Sequence, residues 1–223
     1  MDLKKNKERV FASVAEAETK AQRPPHSVNI IAVTKTVDVA TAKELVDLGV
    51  KHLAENRVDK FLEKYHALQE EEITWHLIGS LQRRKVKDVI HLVDYFHALD
   101  SVKLAQEIDK RAEHPIRCFL QVNLSKEESK HGFYREELDQ VLPEIAALTN
   151  IQIVGLMTMA PFDADESELS QLFSDLEALR QELEGHHYPN MSFSELSMGM
   201  SRDYQIAIEH GATFVRIGTS FFK

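Results

Sequence analysis

Short β-branched and apolar runs alternate along this chain with longer segments whose apolar positions recur every three or four residues. The first kind has the period of a buried strand and the second that of an amphipathic helix. Eight runs read as strands: V-N-I-I-A-V-T-K, H-L-A-E-N, T-W-H-L-I-G, Y-F-H-A-L-D, I-R-C-F-L-Q-V-N, I-Q-I-V-G-L-M-T-M-A, F-S-E-L-S-M and F-V-R-I-G. Between them lie helical faces, such as Val58, Phe61, Leu62, Tyr65 and Leu68, and Leu169, Leu172, Phe173, Leu176, Leu179 and Leu183. A further helical pattern, with Leu3, Val10, Phe11, Val14 and Ala17, opens the chain and ends at Pro24 and Pro25. Thr41 and Glu44 have the spacing of a capping box, Ser101 stands where a cap is needed, and Gly49 and Gly211 stand where helices stop.

This alternation predicts consecutive βα units around a parallel sheet. Eight units without a linker or low-complexity break point to a single α/β domain over residues 1–223, a (β/α)8 TIM barrel with an extra N-terminal helix. An open doubly wound sheet has the same local pattern. The length of 223 residues suits a barrel, which needs about 200–250.

Composition narrows the function. The apolar fraction of 43% and charged fraction of 28% are those of a globular protein, which leaves disorder without support. A net charge of -9 provides no general positive field for a phosphate backbone, so nucleic acid is not an expected partner. The single cysteine, Cys118, lies in an apolar run, which removes a disulfide framework or a CxxC metal site and predicts a buried structural thiol. The opening M-D-L-K-K-N-K-E-R-V carries charge where a signal peptide is apolar, and no uninterrupted apolar run reaches membrane-spanning length. A cytoplasmic protein without a membrane partner is expected.

In barrels the chemistry sits where strands end and βα loops begin. That rule selects Lys35, Asn56, His76, Gly79, Asn123, Met157, the stretch from Ser197 to Ser201, and Arg216 to Thr219. Lys35 follows I-I-A-V-T, so an amine closes a buried strand. Desolvation there would make it a nucleophile toward an aldehyde carbon, whereas a solvated strand end or an ion pair with Glu55 is the plainer alternative. S-M-G-M-S-R-D-Y places Ser201 at a helix N-cap, and R-I-G-T offers Gly218 and Thr219 to an anion. Phosphate often binds between the loops after strands seven and eight, although an ordinary cap and an ordinary turn would look the same singly. When a barrel closes, strand one lies beside strand eight. An amine and an anion cradle are then neighbours, an anatomy that suits pyridoxal 5'-phosphate (PLP). The basic stretch Gln82-Arg83-Arg84-Lys85 reads as a solvated helix start.

Six segments in order, A-V-T-K-T, E-N-R-V, W-H-L-I-G-S-L-Q-R-R-K, G-L-M-T-M-A, L-S-M-G-M-S-R-D and F-V-R-I-G-T-S-F-F, are similar to the motifs of the YggS/PROSC family of pyridoxal phosphate homeostasis proteins. The resemblance runs from about Ile30 to the C-terminus. It implies a fold like the N-terminal domain of alanine racemase, with PLP held as a Schiff base by Lys35. It further implies that Ser201 and the amides of Gly218 and Thr219 hold the phosphate, that Arg216 lies near the pyridine nitrogen, and that Asn56, His76 and Met157 line the ring. His76 as a satisfied barrel histidine and Met157 as barrel filling remain the alternatives. The chain departs from the family where Ala54-Glu55-Asn56 replaces G-E-N, and in a short tail expected to weaken the last helix.

A racemase of this kind needs a second domain and a partner subunit to supply its other base. No residues remain after the eighth strand for such a domain. The expectation is therefore a non-catalytic PLP carrier, a monomer without metal or catalytic residues, that stores, buffers or delivers the cofactor to PLP-dependent apoenzymes. A minimal amino-acid racemase is the alternative, and a class I aldolase using Lys35 a more remote one.

Overall fold

A computed structural model of the chain describes residues 1–124 and 131–223. Its strands are β1 (Asn29–Val33), β2 (His52–Glu55), β3 (Thr74–Leu77), β4 (Tyr95–Leu99), β5 (Ile116–Gln121), β6 (Ile151–Met157), β7 (Met191–Met200) and β8 (Phe214–Ile217). Each is parallel to its neighbours, and β8 returns to pair with β1 through Ile31↔Arg216 and Ala32↔Ile217. The sheet is thus a closed barrel, and the open doubly wound arrangement is ruled out by that last pairing.

The outer layer follows the apolar periodicity. Around the barrel run α2 (Val39–Asp47), α3 (Val58–Ala67), α4 (Val86–Val89), α5 (Val102–Arg111), α6 (Leu138–Ala146), α7 (Glu166–Glu184), α8 (Tyr204–Glu209) and α9 (Thr219–Phe222), while α1 (Leu3–Lys20) is the extra N-terminal helix. α7 buries Leu169, Phe173, Leu176, Leu179 and Leu183, the stripe that its sequence predicts. Ser101 Oγ accepts from Leu104 N and starts α5. Gly49 and Gly211 take φ values of +94° and +99° just past α2 and α8, a conformation that favours glycine. Cys118 is fully buried. Arg83–Lys85 form one 3-10 turn leading into α4, with Gln82, Arg83 and Arg84 exposed as a solvated helix start requires.

Two caps differ from expectation. α2 begins earlier than a Thr41–Glu44 capping box would place it, because Asp38 accepts from Thr41 N at 2.9 Å and takes the cap. Ser201 is likewise not an N-cap. β7 runs on to Met200, and Asp203 precedes α8, its carboxylate accepting from Met200 N. Asp203 holds the N-cap position without a side-chain bond to the helix, while the Ser201 hydroxyl is turned to the amides after β8.

α1 packs against α8 and α9 and ties down the end of the chain. Asn6 Nδ2 donates to the Phe221 carbonyl at 2.9 Å, Arg9 to the Ser220 carbonyl at 3.2 Å, and Tyr204 Oη to Ser13 Oγ at 2.8 Å. Among the described residues, no helix is long and apolar enough to cross a membrane.

Candidate functional site

The candidate residues gather at the C-terminal ends of β1, β7 and β8. β1 is apolar through Val33, and the chain then emerges: Thr34 is fully buried whereas Lys35 and Thr36 are exposed. Lys35 makes no hydrogen bond or ion pair among the described residues. The desolvated lysine expected at this point is therefore not found in Lys35. Nor does Lys35 pair with Glu55. That carboxylate is occupied by Lys64 of α3, whose Nζ stands 2.5 Å from Glu55 Oε1 and also donates to the Thr34 carbonyl at 2.9 Å. Thr34 Oγ1 donates to the same carboxylate oxygen at 2.6 Å. Burial that the sequence suggested for one lysine belongs to another, and it leaves the amine of Lys35 uncommitted.

Beside it, two turns converge. Ser201 Oγ, in the turn after β7, accepts from the backbone N–H groups of Gly218 at 3.2 Å and Ser220 at 3.3 Å, in the turn after β8. Two amides and a hydroxyl are thus gathered at one place, the donor chemistry that oxyanions take. The amides that meet the Ser201 hydroxyl are those of Gly218 and Ser220, and Thr219, exposed as the first residue of α9, lies between them. Gly218 lies against the end of β1, where an added Cβ would stand 3.4 Å from the Val33 carbonyl oxygen. The cradle and the Lys35 strand end are thus in contact through backbone.

Arg216 on β8 is 4% exposed, points into the barrel and makes no ion pair among the described residues. Its NH1 donates to Ser197 Oγ at 2.6 Å and its NH2 to the Thr158 carbonyl at 2.9 Å. Its Nε–H makes no hydrogen bond among the described residues. Burial lowers its pKa to about 10, and Asp203 opposes the shift. A buried cation without a carboxylate is costly unless something else accepts its hydrogens. The aromatic nitrogen of a bound heterocycle would do so.

Asn56 follows β2, half-buried, and its backbone meets the turn after β3: a Cβ on Gly79 would stand 2.0 Å from the Asn56 carbonyl oxygen, so that position tolerates only glycine. Met157, 1% exposed, ends β6 in register with Ser197. His76 is the third residue of β3. It is fully buried inside the barrel, with Nε2 2.9 Å from His52 Nδ1 and Nδ1 2.9 Å from His97 Nε2. Both ring nitrogens are taken by other histidines, the satisfied barrel histidine that was the alternative. His97 Nδ1 in turn lies 2.7 Å from Ser197 Oγ.

Sequence reasoning passed over His52, His97 and Lys64. A signal was present for the histidines, since three successive strands carry one each. Lys64 lies on the same arc of α3 as Phe61 and Leu68, a charged residue where the stripe should be apolar.

Residues 8–223 match the model of the alanine racemase N-terminal domain family. The chain is 38% identical over 217 residues to the pyridoxal phosphate homeostasis protein of Aquifex aeolicus, covering 96% of this chain and 94% of that protein. It is 33% identical over 229 residues to the protein of the same name from Escherichia coli K12, covering 99% and 96%. Among solved structures, PipY of Synechococcus elongatus PCC7942 with PLP bound superposes with a TM-score of 0.83 at 34% identity, over 95% of this chain and 99% of that one. An alanine racemase of Clostridium difficile 630 superposes with a TM-score of 0.71 at 16% identity, over 94% of this chain and 55% of that one, which shows a shared fold.

Proposed function

We propose, from the premise that this chain belongs to the pyridoxal phosphate homeostasis proteins of the alanine racemase N-terminal domain family, that it binds PLP at the ends of β1, β7 and β8 and serves intracellular PLP homeostasis. The observation that carries this reading is the adjacency of an uncommitted amine, Lys35, and a cradle of Ser201 Oγ with the Gly218 and Ser220 amides, joined by the β1–β8 pairing. The donor set fits the cofactor: an amine for its aldehyde, N–H and O–H groups for its phosphate, and a buried guanidinium for its ring nitrogen.

When bound, PLP supplies an aldehyde and an electron-withdrawing ring. Lys35 would hold the cofactor through its uncommitted amine, the aldehyde being the group that PLP supplies for that bond. Ser201 and the amides of Gly218 and Thr219, with that of Ser220 beside them, would hold the phosphate. Arg216 donates toward the ring nitrogen and disfavours its protonation, which makes the ring a weaker electron sink than a carboxylate would. Asn56 and Met157 bound the ring, and the exposed setting of Lys35 leaves the cofactor reachable from water.

Such a site holds and releases its ligand rather than turning over amino acids. The protein acts as a non-catalytic carrier, a cytoplasmic monomer that stores PLP or delivers it to apoenzymes. The test is the absorption spectrum of the purified protein together with exchange of an added amino acid's α-proton in deuterated water. A visible band without exchange is expected. A band with steady exchange means a racemase, and no band with added PLP means that the site is misassigned.

A further inference from the structure

A continuous line of hydrogen-bonded side chains crosses the barrel interior behind the site: His52 on β2, His76 on β3, His97 on β4, Ser197 on β7 and Arg216 on β8. His52, the first residue of its strand and partly exposed, lies toward the end of the barrel opposite the site, whereas His76, His97 and Ser197 are fully buried. The line has a definite proton order. Arg216 can only donate, so Ser197 Oγ must accept from it. The serine hydroxyl hydrogen then needs an acceptor, and among the described residues only His97 Nδ1 stands within reach, at 2.7 Å. His97 must therefore carry its proton on Nε2 and donate to His76 Nδ1, and His76 must do the same toward His52 Nδ1. The opposite order makes Ser197 accept twice and buries its O–H without a partner. A break within the line sets two N–H groups, or two lone pairs, face to face at 2.9 Å. Either defect costs a buried hydrogen bond.

We propose that Ser197 and His97 are positioning residues for Arg216, and that the three imidazoles form a neutral, unidirectional relay, each protonated on Nε2, that fixes the guanidinium so that its charge and free Nε–H face the ring nitrogen of the bound cofactor. This deepens the PLP site and rests on Arg216 meeting that nitrogen. Among the described residues no carboxylate forms an ion pair with the guanidinium, and Asp203 acts on it only through its field. The fixed charges that the line meets are Asp94 beside His52 and, at the other end, Arg216 itself with Asp203. Burial disfavours the imidazolium form of His76 and His97, and the neighbouring rings and Arg216 add to this.

Two measurements test this. In the protein without PLP, nitrogen-15 NMR of the imidazoles reads the tautomers directly, and the expected result is three neutral rings protonated on Nε2. Any of the three found as the Nδ1–H tautomer or as imidazolium at pH 7.5 overturns the proposal. With PLP added, Ser197→Ala is expected to weaken binding about tenfold and to move the absorption band, while Lys35 is still labelled by borohydride. His97→Asn, whose amide oxygen can stand in for Nδ1, is expected to keep the band that His97→Leu shifts. A purely structural role would lower the unfolding midpoint and leave the band in place, and that outcome also overturns the proposal. If instead Lys35→Ala retains the band, the PLP site itself is misassigned, a failure distinct from that of the relay.

Discussion

Two lysines meet the end of the first strand and are treated in opposite ways. Lys64 is 1% exposed and committed, its Nζ shared between Glu55 and the Thr34 carbonyl. Lys35, the next residue after Thr34, is exposed and bonded to nothing among the described residues. A buried ammonium needs its carboxylate, and the pair is then worth little beyond offsetting its own desolvation. An amine that must react with a ligand needs the reverse, a place where no partner competes. Lys64 secures this by taking Glu55, the buried carboxylate beside that strand end. The contrast shows how a fold keeps a reactive amine free: it supplies a second cation to the nearby anion.

The largest expected effect bears on Lys35. Lys35→Ala is expected to abolish the borohydride-stable adduct while changing the free energy of unfolding by less than about 0.5 kcal/mol, as exposed substitutions do; a denaturation curve and an absorption spectrum on one sample check both. Lys64→Met should show the mirror image. Leaving Glu55 buried and unpaired is expected to cost about 3–5 kcal/mol of stability, with Lys35 still able to bind PLP in the folded fraction. Equal stability of that variant and the parent would break the comparison.

A third effect separates buried charges from buried neutral groups. Burial holds His76 and His97 well below the ordinary imidazole value. Below about pH 6.5 the unfolded chain therefore takes up protons that the folded chain does not. The contribution of these groups is undiminished above that pH and falls on acidification, by about 1.4 kcal/mol per pH unit for each group until its folded-state value is reached. Urea midpoints from pH 7.5 to 5.5 should decline accordingly, and a rise would mean that the rings gain charge on folding. The smallest effect concerns α1. Asn6→Ala removes the bond to the Phe221 carbonyl and is expected to cost about 1 kcal/mol, together with weaker retention of PLP, because the turn of Gly218 and Ser220 loses its tether. Equilibrium dialysis of PLP beside a thermal melt checks this.

Much of this architecture was legible in the chain. Strand-length apolar runs and helical stripes gave the eight βα units, because a parallel barrel buries each strand on both faces and each helix on one. Closure was read from the count of eight unbroken units and not from local pattern, since an open sheet repeats that pattern and only the β1–β8 pairing decides between them. Of the candidate-site residues, Lys35, Ser201 and Arg216 were selected by position, as polar residues at the ends of apolar strands, and Gly218 by the room it leaves for an anion. The direction of burial was not. Whether Lys35 or Lys64 is desolvated depends on α3 folding back over β2, a long-range fact. The choice of Asp203 over Ser201 before α8, and of Asp38 over Thr41 before α2, likewise turned on where the preceding segment ended. The histidine line required knowing that three strands send their histidines to one interior.

The central claim is that the amine left free, and not the one held by Glu55, bonds the cofactor. Reduction of the PLP-loaded protein with borohydride, followed by proteolysis and peptide mass mapping, tests it most directly. The pyridoxyl mass increment is predicted on the peptide containing Lys35 and absent from the one containing Lys64. The increment on Lys64, or on neither, contradicts the claim.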